Sequence, residues 1–188
     1  MLNNVSNLMR KLFIAGLVSA LATLPGSTLR QLSLNELVVQ STMIVRGKAQ
    51  ATSAMNRGSL IFTHYTVQVS ETYKGSAQPG SQIDIGVPGG TLNGAVQRFA
   101  GAPTLSPTQD YVLFLWTSKT GLTQVIGLSQ GLFSVISISG GAPMVVRAAA
   151  TERMLNAAGQ PVTDNDIQMP LSQLKSYIQT VLNGQATQ

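Results

Sequence analysis

Hydrophobic and polar residues alternate along much of the chain, a pattern typical of β-strands that bury one face. The longest alternating stretch covers residues 61–74, where Ile61, Tyr65 and Val67 share one face and polar residues fill most of the other. A strand of this length usually bends or contains a β-bulge. Shorter strands are predicted at 43–49, 83–87, 122–126, 132–138 and 144–146, and a polar loop is expected through residues 56–58.

One further segment is apolar without interruption. Residues 111–116 read Tyr-Val-Leu-Phe-Leu-Trp between turn-forming residues, which predicts a central strand buried on both faces. Residues 94–107, before this strand, are rich in Gly and Pro, and Val96 and Phe99 within them are expected to contact the core. Residues 156–161 predict a turn between two short extended segments.

Helical signals flank the strands at both ends. Ser33 and Glu36 have the spacing of a capping box, so a short helix is predicted over 34–40. Pro170 is allowed at a first helical position, and Asn183 and Gly184 provide a C-terminal stop. The apolar stripe between them consists of Leu171, Leu174, Ile178, Val181 and Leu182. With no internal repeat or linker, residues 23–188 are predicted to form a single β-rich domain with a C-terminal helix.

The first 22 residues have the layout of an export signal. Arg10 and Lys11 provide the positive start, residues 12–20 are almost wholly apolar, and Ala20 and Ala22 are small residues at the positions that a signal peptidase reads. The apolar run is about half the ~20 residues that span a bilayer. We therefore expect residues 1–22 to be a cleaved signal peptide that leaves a secreted or periplasmic protein with no stable membrane anchor.

Composition narrows the possible settings and partners. The chain has no cysteine, which excludes disulfides and the lipid-attached cysteine of bacterial lipoproteins and favours a bacterial over a eukaryotic exported protein. The formal net charge is +5, but the basic residues are scattered, and charged residues make up only 10% of the chain. Nucleic-acid binding usually needs a dense basic stripe, so no nucleic-acid partner is expected.

Three motifs follow one another in an order that is known from a barrel family. Residues 42–49 read Thr-Met-Ile-Val-Arg-Gly-Lys-Ala, residues 65–75 end in Tyr-Lys-Gly, and Ala-Pro-Thr-Leu at 102–105 precedes Asp-Tyr-Val-Leu-Phe-Leu at 110–115. Over residues 32–116 this order resembles the netrin-like or tissue-metalloproteinase-inhibitor type of OB-fold barrel, a layout also shared by exported bacterial proteins of unknown function. The resemblance implies a mainly β fold: a single small OB-like β-barrel with a short N-terminal helix and a C-terminal helix. The inhibitors bind the protease zinc through an N-terminal cysteine. This chain has none, so no inhibitory residue is transferred by the resemblance.

Ser129 lies in the only segment with the pattern of a known nucleophile. Residues 127–131 fit G-x-S-x-G, which forms the nucleophile elbow of α/β-hydrolases when a strand precedes the serine and a helix follows it. Here the following residues, 132–138, predict another strand. The single histidine, His64, precedes Ser129, whereas those hydrolases place the histidine last. A glycine-flanked hairpin turn is the favoured interpretation, and a serine hydrolase that uses Ser129 with His64 remains an alternative.

No metal site or cofactor is predicted. Zinc and copper sites usually need several His or Cys ligands, and this chain has one histidine and no cysteine. The three residues 164–166 read Asp-Asn-Asp but lack the glycine and distal glutamate of an EF-hand loop, so a turn rich in Asx residues is favoured there. The paired glycines at 89–90 and 140–141 lack the Lys-Ser/Thr of a phosphate-binding loop.

Aromatic residues on the strands supply the candidate ligand-binding residues. Most should fill the core, but Phe62 and Trp116 are expected to be partly exposed, with His64 beside Phe62. The favoured hypothesis is an exported, non-catalytic binding or interaction protein whose partner is an envelope or extracellular protein or polysaccharide. The alternatives are an inhibitor-like or accessory domain for an exported protease and, second, the serine hydrolase.

Overall fold

β-strands contain almost half of the residues that the structure describes. The structure is a computed structural model that describes residues 28–185, so the predicted signal peptide, residues 1–22, lies outside the described residues. The two α-helices are α1 (Leu34–Gln40) and α2 (Leu171–Gln185). The strands are β1 (Thr28–Arg30), β2 (Met43–Arg57), β3 (Leu60–Lys74), β4 (Gln82–Pro88), β5 (Gly90–Leu92), β6 (Ala95–Gln97), β7 (Asp110–Thr117), β8 (Thr123–Val125), β9 (Leu132–Ile136), β10 (Met144–Arg147), β11 (Arg153–Leu155), β12 (Pro161–Val162) and β13 (Ile167–Pro170). Neither helix is long and apolar enough to cross a membrane, a result that concerns residues 28–185 alone.

The strands form one large sheet and two small ones. The eight-stranded sheet has the order β13-β10-β9-β7-β2-β3-β4, and β8 pairs with the end of β7. A second sheet has the order β1-β11-β12, and β5 and β6 form a third. The predicted mainly β fold with two helices is confirmed, but the expected closed OB-like barrel is not seen among the described strands. The short strand β8 pairs with β7 alone, and β4 remains an edge although its Gly86 lies close to Leu122.

β7 is the central strand and is buried on both faces, as the uninterrupted apolar run predicts. Tyr111, Leu113 and Leu115 belong to one core cluster with residues of β2, β3 and β4. Val112 and Phe114 belong to a second cluster, which includes residues of α1 and α2. The alternation of side chains along a strand therefore divides β7 between two cores.

Local signals predict the start of helix α1 correctly. The hydroxyl of Ser33 accepts a hydrogen bond from the amide of Glu36 at 3.2 Å, and the carboxylate of Glu36 accepts one from the amide of Ser33 at 2.9 Å. This is the predicted capping box, and the helix occupies the predicted residues. Leu37 and Val38 are fully buried against the second core cluster.

Two local expectations are wrong. The strand predicted at 43–49 continues to Arg57, because residues 51–57 pair with β3 in a long hairpin whose register shifts in three places. The expected loop is therefore only the tight turn at Gly58 and Ser59. Val96 and Phe99 do not fill the core: they are 53% and 38% exposed, since β5 and β6 form a separate hairpin outside the main sheet.

Candidate functional site

A groove of about 410 Å³ lies where the chain around β1 meets the end of β7, strand β8 and the turn after β8. Its volume and its mostly apolar walls with a few polar groups are typical of a small-ligand site. Its lining includes Leu29, Arg30, Trp116, Gln124, Leu128 and Gln130.

Trp116 is the most exposed large hydrophobic side chain of this groove. It continues the buried run of β7 but is 45% exposed. β9 pairs with β7 only as far as Leu113, and β8 then takes over, so that Trp116 lies opposite Gln124. The second core cluster reaches Phe114, the preceding residue on the same face, and does not extend to the indole. Because the second core cluster ends at Phe114, the indole of Trp116 is not covered by it and lies at the rim of the groove.

Gln130 holds the two walls of the groove together. Its side chain is buried, with 1% of the residue exposed. Its Oε1 accepts a hydrogen bond from the amide of Leu32 at 2.8 Å, and its Nε2 donates one to the carbonyl of Arg30 at 3.0 Å. A buried amide that satisfies two backbone groups fixes the chain after β1 against the turn that carries Gln130.

The turn after β8 has an unusual backbone. Gly127 has a φ of 62° and Leu128 a φ of 58°, so two successive residues adopt the left-handed conformation. A side chain at Gly127 would also lie 2.9 Å from Leu32 Cδ1. A leucine in this region costs about 1–3 kcal/mol, and such strain concentrates at ligand-binding and active sites. The turn directs Leu128 into the lining of the groove.

Arg30 supplies the positive charge at the groove. Its guanidinium is half exposed and hydrogen-bonds the carboxylate of Glu36, the capping residue of α1. Hydrogen bonds from the amide and then the hydroxyl of Ser33, together with the charge of Arg30, hold the pKa of Glu36 below its ordinary value. The helix cap therefore keeps a charged partner for Arg30 at neutral pH.

The three residues predicted for ligand binding do not form one site. Trp116 is partly exposed as expected, but Phe62 is only 7% exposed, so the expectation of exposure is wrong for it. The ring of Phe62 and the imidazole of His64 both lie close to Gly86, where the missing side chain leaves room for them. His64 Nδ1 is 2.6 Å from Asp84 Oδ2 on the neighbouring strand. Neither Phe62 nor His64 lines the groove of Trp116.

Ser129 lies in a turn but not in a nucleophile elbow. It belongs to a 3₁₀ turn, Leu128–Gly131, and β9 follows in place of the helix that an elbow requires. The turn is flanked by glycines as predicted, but it is not a hairpin, because β8 and β9 both pair with β7. Ser129 lines a separate cavity of about 260 Å³ beside Glu152, and within residues 28–185 its hydroxyl makes no hydrogen bond to His64.

The acidic run at 164–166 is hydrogen-bonded to residues 147–150, at the end of β10 and in the loop that follows it. Asp164 accepts hydrogen bonds from Arg147 at 3.0 Å and from the amide of Ala150 at 2.8 Å, and Asp166 accepts one from the amide of Ala149. The predicted turn rich in Asx residues is wrong, because residues 163–166 form an irregular connection between β12 and β13. In the described part of the chain, no three His, Cys, Asp or Glu residues are grouped so that they could hold a metal ion.

Sequence reasoning missed the residues that build the groove around Trp116. β1 is three residues long and pairs with β11, more than a hundred residues away. Gln130 lies inside a motif that predicts only a turn. The chain matches no protein-family model, and neither the curated proteins nor the solved structures contain a match.

Proposed function

We propose that this protein is an exported, non-catalytic binding protein and that the Trp116 groove binds a polysaccharide of the cell envelope or the extracellular medium. The observation that carries the proposal is the half-exposed indole of Trp116 at the rim of a largely apolar groove. Tryptophan provides a large rigid surface with one polar atom, which makes it a preferred contact residue in binding sites. Export is inferred from residues 10–22 of the sequence.

Polysaccharide is favoured by the groups around the indole. A sugar ring has an apolar C–H face that stacks on an aromatic ring and a rim of hydroxyls that pair with planar amides and guanidinium groups. Gln124 lies directly opposite Trp116, and its side-chain amide makes no hydrogen bond within residues 28–185. Arg30 lies in the same lining, fixed by Glu36. A few polar groups placed among apolar walls are the arrangement that orients such a ligand.

The proposal includes the assignment of the large sheet to the OB-like class, as the netrin-like resemblance implies. It is supported by the register shifts that bend β2 against β3 and by the approach of Leu122, just before β8, to Gly86 of β4. These features bring the two ends of the strand order β8-β7-β2-β3-β4 together without a hydrogen-bonded ladder. OB-type domains bind oligosaccharides among their ligands.

The chain contains a single tryptophan, so its fluorescence reports directly on the groove. Titration of the mature protein with soluble N-acetylglucosamine oligomers and glucose oligomers should shift or quench the emission of Trp116 for at least one of the two. By calorimetry, Trp116→Ala should weaken that binding about tenfold or more, whereas Trp116→Phe should retain most of it.

Tyr177→Ala is the matched control for this experiment. Tyr177 is an aromatic side chain on α2 with 36% exposure, and it does not line the groove. The variant should bind the oligosaccharide like the parent protein. Unchanged emission with both ligand series, or equal losses in the Trp116 and Tyr177 variants, would contradict the proposal.

An inhibitor-like or accessory domain for an exported protease is the second candidate, and one observation favours it. Leu60 and Val96 are 40% and 53% exposed. The side chain of Gln97 donates a hydrogen bond to the carbonyl of Ser59 and accepts one from the amide of Ile61, which places the two hairpins side by side. Exposed apolar side chains at one end of a domain favour a protein partner. In that case Leu60→Asp should abolish inhibition of the target protease, and Trp116→Ala should have no effect on it.

A further inference from the structure

The long strand β2 has an edge that is only half used. It pairs with β3 along its whole length but with β7 only over residues 43–48. Within the part of the chain that the structure describes, no strand pairs with the other edge of β2 from Ala49 to Arg57. Every second residue of such an edge directs its N–H and C=O groups outward. All but one of the residues from Gln50 to Arg57 are exposed.

This edge lacks the features that usually block pairing with another chain. Native proteins protect free edges with prolines, charged side chains or a covering element. Between Ala49 and Asn56 there is neither a proline nor a charged residue. An unprotected edge of this length is a template for an additional strand.

A cleft of about 420 Å³, lined by polar and charged residues, lies at the point where β7 stops covering β2. Lys48, Gln50 and Gln68 line it, on the outer face of the sheet. Arg46 in the same cleft is neutralised by Asp110 at 2.6 Å and Glu71 at 2.8 Å. Lys48 is exposed and, within residues 28–185, forms no ion pair. Glu71 also pairs with Lys175, so three cations and two carboxylates meet at the cleft and leave one positive charge beside the first free residues of the edge.

The far end of the edge is also positive. Arg57 is exposed and donates a hydrogen bond to the hydroxyl of Thr120, but among the described residues it has no carboxylate partner. Cations at both ends disfavour a second copy of this chain, because pairing of two such edges adds like charges and no opposite ones.

We propose that the free edge of β2 binds an extended, acidic segment of a partner protein, which joins the sheet as an added strand. Main-chain hydrogen bonds to residues 49–57 supply the affinity. A carboxylate of the segment enters the cleft beside Lys48 and sets its register. This site is separate from the Trp116 groove, and it does not depend on the ligand proposed there.

Two capped peptides about eight residues long test the proposal: alternating threonine and glutamate, and alternating threonine and lysine. Measured by fluorescence anisotropy with the mature protein, the glutamate peptide should bind at least about tenfold more tightly than the lysine peptide. Lys48→Glu should remove or reverse this preference. Arg153→Glu, the same change of charge at an exposed residue of β11, should leave it intact.

Proline on the edge provides the test of strand addition. Consecutive residues of a strand direct their N–H groups to opposite edges, so one of Thr52→Pro and Ser53→Pro leaves the ladder with β3 intact and should fold with native circular dichroism. That folded variant should lose binding of the glutamate peptide. The proposal is overturned if the glutamate peptide does not bind, if both peptides bind alike, or if binding survives in the folded proline variant. If neither proline variant folds, the peptide preference of Lys48→Glu decides: the proposal is overturned if this variant still prefers the glutamate peptide.

Discussion

Replacement of Asp164 by alanine should lower the free energy of unfolding by about 3–5 kcal/mol. The side chains of Asp164 and Arg147 are only 2% and 6% exposed, and they form an ion pair at 3.0 Å. The other oxygen of Asp164 accepts a hydrogen bond from the amide of Ala150 at 2.8 Å. The alanine variant leaves a buried guanidinium without its counter-charge and a backbone amide without an acceptor. Equilibrium denaturation in urea measures the loss.

Asp166→Ala is the matched control for this substitution. Asp166 is exposed and accepts one hydrogen bond, from the amide of Ala149 at 2.7 Å, so its loss should cost only about 1 kcal/mol. Joint replacement of Arg147 and Asp164 by leucine should recover part of the stability that Asp164→Ala removes, because no unpaired charge remains buried. Equal effects of the two single alanine substitutions would show that the ion pair is not the cause.

The same carboxyl group makes stability depend on acid. Burial acts to raise the pKa of Asp164, but hydrogen bonds from Arg147, the amide of Ala150 and Gln31 outweigh it and hold the pKa below its ordinary value. A lowered pKa in the folded state gives stability that is present above the unfolded value, about 3.9, and lost as the pH falls through the folded value. The native protein should therefore lose this contribution below about pH 4, and Asp164→Asn should flatten that part of the curve.

The elements that the sequence predicts well are those whose cause is local. The capping box of Ser33 and Glu36 needs only four consecutive residues, and helix α1 begins where it predicts. Strand β7 is predictable because its residues are apolar without interruption, as expected for a strand that is buried on both faces. By contrast, β1 and β13 are three and four residues long and exist because distant strands pair with them. Their own residues carry too little pattern to predict them.

The candidate groove was predictable only in part, for the same reason. Trp116 could be singled out, because it ends an apolar run in a chain with few aromatic residues. The opposite wall depends on Gln130, whose amide bonds Leu32 and Arg30 about a hundred residues away. Phe62 carries the same aromatic signal as Trp116 and is buried, because Gly86 on the next strand leaves space for its ring. Composition cannot distinguish these two cases.

Gly47→Ala should lower the free energy of unfolding by about 3 kcal/mol, although it adds a single methyl group. A Cβ at this position would lie 2.4 Å from the carbonyl oxygen of Gln68 and 2.9 Å from Val67 Cγ1. β2 is paired on both sides here, with Tyr111 of β7 and Val69 of β3, so the backbone cannot move away from the contact. Urea denaturation of the variant measures the effect.

Gly184→Ala offers the opposite expectation for the same chemical change. Gly184 lies in α2, and among residues 28–185 no atom outside the neighbouring helix backbone lies within 4 Å of the place that a Cβ would take, so alanine should stabilise the helix by up to about 1 kcal/mol. If both variants changed stability by the same amount and in the same direction, close strand contact would not explain Gly47. If Gly47→Ala destabilises the protein and Gly184→Ala does not, close contact with β3 explains why glycine stands between Arg46 and Lys48. The glycine lies at the register shift after Arg46, and Arg46 and Lys48 on either side of it both line the cleft on the outer face of the sheet.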